Sequence, residues 1–167
     1  MGNLLFSPSG RIHPSEFMRG SIILIAIGFV LNILPLISFQ IGSMLSLLGI
    51  ILLWCWIVLF IKRLHDGGKS GWMCIIPIIA FIILSMIISS IVTSMFAGDL
   101  NAQLQEIAKS GDINAVLGAS VELGPAIAKK TAIPAAVAGA LVSYIIAFAT
   151  NSMVGHDEHE NQFGPAT

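Results

Sequence analysis

From Ser21 to Ile61 the chain runs for 41 residues without one charged side chain. At 1.5 Å per residue a single helix of that length would reach about 60 Å. That is twice the roughly 30 Å of a bilayer's hydrocarbon core. The segment therefore predicts a hairpin of two membrane-spanning helices. Pro35 and the polar group Ser38, Gln40, Gly42 and Ser43 mark its turn, with the spans at 19–38 and 43–61.

Two further apolar runs follow. One extends from Trp72 to Phe96, with Pro77 in its first turns, and the other covers 132–154, with Pro134 at its start. Charged residues are only 10% of the 167, against 56% apolar, and mean hydropathy is +0.91. Too few charges remain to cover a soluble surface, where roughly 25% is usual. The expected fold is all-α: one polytopic membrane domain, a four-helix transmembrane bundle. The N-terminal apolar stretch is too long for a cleavable signal peptide and leads straight into a second one.

The remaining segments are polar. His13-Pro14-Ser15-Glu16 reads as a helix start, with Pro14 at the first helical position and Glu16 near the orphan amides. KRLHDGGKSG, residues 62–71, is a compact loop. In the 97–131 linker, Asp99 and Asp112 predict caps for two short amphipathic helices, stopped by Gly111 and by Gly124-Pro125. These helices either lie on a surface or merely connect the spans. In the fourth run Ala135, Gly139, Ser143, Ala147 and Asn151 recur every four residues. Small side chains on one face predict close helix packing centred on Gly139 and Ser143, with a small polar path as the alternative.

Charge near the span ends sets orientation. With the N-terminus inside, Arg11, Arg19, Lys62, Arg63 and Lys69 lie on the cytoplasmic side, and Lys109, Lys129 and Lys130 lie outside. Both termini are thus expected in the cytoplasm. Trp54, Trp56 and Trp72 fit an aromatic belt on the same side.

Chemistry-bearing motifs are sparse. Gly67-Gly68-Lys69-Ser70 resembles the end of a phosphate-binding loop, but Arg63 stands where that pattern needs glycine and an apolar helix precedes it. His65-Asp66 has no nucleophile beside it, and the following glycines predict a turn; anionic headgroup or ligand binding is the functional alternative. His156, Asp157, Glu158, His159 and Glu160 have metal-ligand chemistry, yet in a short glycine-flanked tail a solvated acidic segment is the simpler reading. Cys55 and Cys74 sit in apolar runs and read as small buried hydrophobes. Asn32, Gln40, Ser85, Ser89, Thr93, Tyr144 and Asn151 are the polar residues within the spans, and none is ionised at neutral pH, which argues against a pump. The net charge of −1 gives no reason to expect a nucleic-acid partner. No metal or cofactor is implied.

Three segments in order carry a resemblance. They are Gly10-Arg11-Ile12 with Glu16-Phe17, Lys62-Arg63-Leu64-His65-Asp66 with Gly68-Lys69-Ser70-Gly71-Trp72, and Asn161-Gln162-Phe163-Gly164-Pro165. Together the chain resembles the bacterial inner-membrane family known as domain of unknown function 805. The resemblance implies a four-span protein of the bacterial cytoplasmic membrane and no assigned activity. His13 stands where that pattern leads one to expect Ser or Thr as the helix cap.

The expected function is non-enzymatic. The cytoplasmic face formed by Arg11, Arg63, His65, Asp66, Lys69, Ser70, Trp72 and Asn161 is the candidate site for a lipid headgroup, small anion or partner protein. The alternative is a small transporter or channel subunit acting as a homo-oligomer. The tail is expected to fold back, with Asn161 and Phe163 near Asp66 and Trp72.

Overall fold

The computed structural model describes residues 5–45 and 47–165. Helix α1, Pro14–Ile33, begins as expected, and His13 itself supplies the cap: its Nδ1 accepts the Ser15 N–H at 3.2 Å. A 3-10 turn at Leu34–Leu36 containing Pro35 ends it. The chain reverses there and re-enters helix as α2, Phe39–Leu45, and α3, Leu48–Asp66. The turn is tighter than the polar residues suggested, and Gln40, Gly42 and Ser43 already lie within α2. A second 3-10 turn, Gly71–Cys74, leads into α4, Ile75–Lys109, and then α5, Ile113–Met153. Four helical stretches are long and apolar enough to cross a membrane, and no strand occurs among the described residues.

The linker departs from the expectation. Its two short helices are not separate; they continue the third and fourth apolar runs as the far ends of α4 and α5. Asp99 lies inside α4 and opens no helix. The only break there is Ala97, buried, with φ −141° and ψ 27°. Gly124-Pro125 does not stop α5, and Pro134 is interior as well. An interior proline removes one backbone bond, a loss that neighbouring helices in a membrane protein make tolerable. Here α4 and α5 pack along each other. The linker's other two signals do mark the turn. Gly111 takes φ +73°, which suits a residue without Cβ, and Asp112 caps α5 by accepting from the Asn114 and Ala115 amides at 2.9 and 3.3 Å. At 35 and 41 residues, α4 and α5 would measure roughly 50 and 60 Å. Both exceed a straight bilayer crossing.

Burial is uneven. Phe17 and Leu24 of α1, Leu59, Phe60 and Leu64 of α3, and Ile146 and Ala147 of α5 form the core, joined by the free buried thiols Cys55 and Cys74. This core gathers toward the end of α3 at Asp66. Helix α4 is peripheral and exposes Ile79, Ile83, Met86 and Ile87, as a lipid-facing helix would.

The small-residue face of α5 also differs from the expectation. Ala147 is fully buried, but a Cβ added at Gly139 would meet nothing within 4 Å. Ser143 turns its hydroxyl back to the Gly139 carbonyl at 2.8 Å. Both residues border a cavity of about 220 Å³ between the helices, so no helix approaches closely at that level.

Asp112→Ala should quicken hydrogen exchange at the Asn114 and Ala115 amides about fivefold, the effect of losing a cap of about 1 kcal/mol. Asp99→Ala should leave exchange unchanged. Quickened exchange only in the Asp99 variant would restore the separate short helix.

Candidate functional site: a buried arginine–aspartate cluster

Arg63 and Asp66 are three residues apart near the end of α3 and share a helix face. Their side chains pair at 2.9 Å between Nη1 and Oδ2. Arg11, from the segment before α1, reaches the other carboxylate oxygen at 3.2 Å through Nη2 and 3.4 Å through Nε. His156 of the tail joins them, its Nδ1 2.8 Å from Asp66 Oδ2. Asp66 is 0% exposed and Arg63 1%. Buried charges of this kind persist only when paired and fully hydrogen-bonded.

The tail supplies the remaining partners. Arg63 donates from Nε to Asn151 Oδ1 at 2.6 Å, and from its terminal nitrogens to the carbonyls of Asn151, Val154 and Gly155. The Asn151 and Val154 carbonyls belong to the end and cap of α5, where the last carbonyls lack partners within the helix, and Gly155 follows directly. Arg63 thus caps α5 with a positive charge at the negative end of its dipole. Arg11 donates to the carbonyls of Asp157, His159 and Gly164. A guanidinium has five N–H donors, and on both arginines all five are engaged. The tail runs so close to the end of α3 that a Cβ on Gly67 would sit 2.6 Å from Val154 and 2.8 Å from the Gly155 carbonyl. Glycine is required there.

The last turn of the tail clips over His65. Asn161 Nδ2 donates to the His65 carbonyl at 3.1 Å, and Phe163 stacks flat on the imidazole, centroids 3.8 Å apart. The Asp157 carboxyl is held below its ordinary range, first by the His159 amide and then by the Asn161 side chain. A depressed carboxyl contributes order above its unfolded pKa and loses it as pH falls through the folded one. Through Asp157 the tail turn therefore withstands mild acid.

The tail therefore folds back as expected, but its contacts are redistributed. Phe163 meets His65 rather than Trp72, which is 81% exposed. Lys69 is half-buried and forms no salt bridge among the described residues, and Ser70 is exposed. Arg11, Arg63, His65, Asp66 and Asn161 are brought together; Lys69, Ser70 and Trp72 stand outside the cluster. Two partners escape sequence reasoning, which placed Asn151 on a packing stripe and His156 in a solvated tail. The tail acids and histidines form no metal-ligand group among the described residues.

The three segments that meet here are those whose order carried the resemblance. A family model described as protein of unknown function (DUF805) matches residues 5–165. The chain belongs to that family. No curated protein and no solved structure matches it. For this DUF805 chain the clustered motif residues have an internal role: they tie the N-terminal segment and the tail to the end of α3.

Asp66→Ala would leave two buried guanidinium groups sharing no carboxylate. We expect a loss of about 3–5 kcal/mol in detergent unfolding, together with protease cleavage of the tail near Phe163. Wild-type stability with a protected tail would mean that the cluster holds nothing.

Proposed function

We propose that this DUF805 protein is a non-enzymatic four-helix bundle of a bacterial inner membrane, with both termini cytoplasmic. Its cytoplasmic face engages anionic lipid headgroups through Lys69, Ser70 and Trp72, with the exposed Arg19 of α1 as a further cation. The observation that carries this reading is the division of the basic residues. Every donor of Arg11 and Arg63 is already taken within the molecule, so neither is free for a small anion. Lys69 and the exposed Trp72 are what the loop still offers outward. An ammonium beside an indole at a helix entrance suits the headgroup layer, where Lys and Trp both anchor. The cluster then serves as a rigid frame that holds this loop at the membrane surface.

Orientation is tested by fusing alkaline phosphatase after Gly111 and after Thr167. Activity at Gly111 alone supports the proposal, and activity at Thr167 alone reverses it. Headgroup binding is tested by native mass spectrometry of protein purified from membranes containing phosphatidylglycerol. Lys69→Gln with Trp72→Ala should reduce retained anionic lipid several-fold without altering thermal stability. Equal retention in both proteins would sink the headgroup reading while leaving the topology intact.

A further inference from the structure

The cavity between the helices lies away from the buried cluster and has no part in the function proposed above. Its walls come from all four long helices: Phe29 of α1, Trp56 and Phe60 of α3, Phe81 of α4, and Ala136 and Gly139 of α5. A second space of about 340 Å³ shares Gly28, Asn32, Gly49 and Leu52 with it and continues to Pro35 and Phe39 at the α1–α2 turn. The shared residues make the two neighbours, and together their linings follow a path from the middle of the spans to the hairpin end.

Four glycines border this path; Gly42 packs against Pro35, and the other three, Gly28, Gly49 and Gly139, stand on three helices. A Cβ added to any of these three would meet nothing within 4 Å. None therefore permits a close helix contact, although glycine inside a helix is unfavourable relative to alanine. What their missing side chains provide is width. Water is a poor occupant, because each needs two to four polar partners. The polar side chains of the inner cavity, Asn32 and Ser143, both donate to carbonyls of their own helices, Gly28 at 2.8 Å and Gly139 at 2.8 Å. A dry apolar cavity of about 150 Å³ already takes up benzene, and this one is larger. Its apolar walls, and the second space that extends the shared lining to the α1–α2 turn, match a flexible hydrocarbon chain.

We infer that the cavity is a binding site for one acyl chain of a membrane phospholipid, inserted from the leaflet at the α1–α2 turn. Gly28, Gly49 and Gly139 keep it open.

The test uses the full-length protein in vesicles doped with phosphatidylcholine bearing a diazirine on one acyl chain. Irradiation should label peptides containing Gly139 and Gly28 more strongly than those around the lipid-facing Met86. Gly139→Leu should fold, melt at or above the wild-type temperature, and lose cavity labelling about tenfold while Met86 labelling persists. Gly28→Val provides a second filling variant with the same expected outcome. Unchanged labelling in a folded variant overturns the site, and unfolding of both variants overturns it too, since the walls would then already touch. Two further outcomes count against it. One is labelling by a diazirine free fatty acid but not by the phospholipid. The other is rapid reaction of Gly139→Cys, in a background lacking Cys55 and Cys74, with a membrane-impermeant maleimide, which would mean a water-filled path.

Discussion

One carboxylate organises an end of this molecule. Asp66 is fully buried, yet it sits between two guanidinium groups and an imidazole from three distant parts of the chain. Take it away and two positive charges remain in a space that water cannot reach. The compensation is reciprocal, because the arginines also satisfy carbonyls that the end of α5 would otherwise leave bare. Helix termination, tail docking and charge burial are here one interaction seen from three sides. Alone, the Arg63–Asp66 pair would be an ordinary contact within one helix; Arg11 and the tail turn it into a tertiary constraint.

The apolar helical hairpin could be read from the sequence because 41 residues without charge admit few alternatives. Gly111 and Asp112 could be read because a left-handed turn followed by a carboxylate cap is written in residue types. Asp99 has the same residue type and caps nothing, since α4 passes through it with only the distortion at Ala97. Residue type states what a cap requires, while packing between α4 and α5 decides whether a helix ends. Gly139 misled for a related reason: a small residue beside a neighbouring backbone and one beside a cavity look the same in a sequence.

The cluster was half legible. Arg11, Arg63 and Asp66 announce themselves by charge, and the acidic tail suggested complementarity. The acceptors on the tail are mostly backbone carbonyls, which every residue possesses, so nothing in the residue letters picks out Val154, Gly155 or His159. The one exception is Gly67, where the absence of a side chain records how closely the tail passes. Phe163 selected His65 over Trp72 because the imidazole plane lies within reach of the tail's tight turn, whose ends are joined by Asn161 and Gly164.

The order in which the chain is made gives the cluster a second meaning. Arg11 and its acceptor at His159 are separated by 148 residues, a delay of roughly 7–30 s at ordinary rates of synthesis. Once Asp66 has been made, and until the tail follows, the two arginines have its carboxylate between them and no carbonyls from the tail. The helices of the hairpin can form early, but its charged end stays unsealed until translation has passed α5. Closure of the cluster therefore waits for the segment that follows α5, and the end of α3 is completed by the last-made of the residues that touch it.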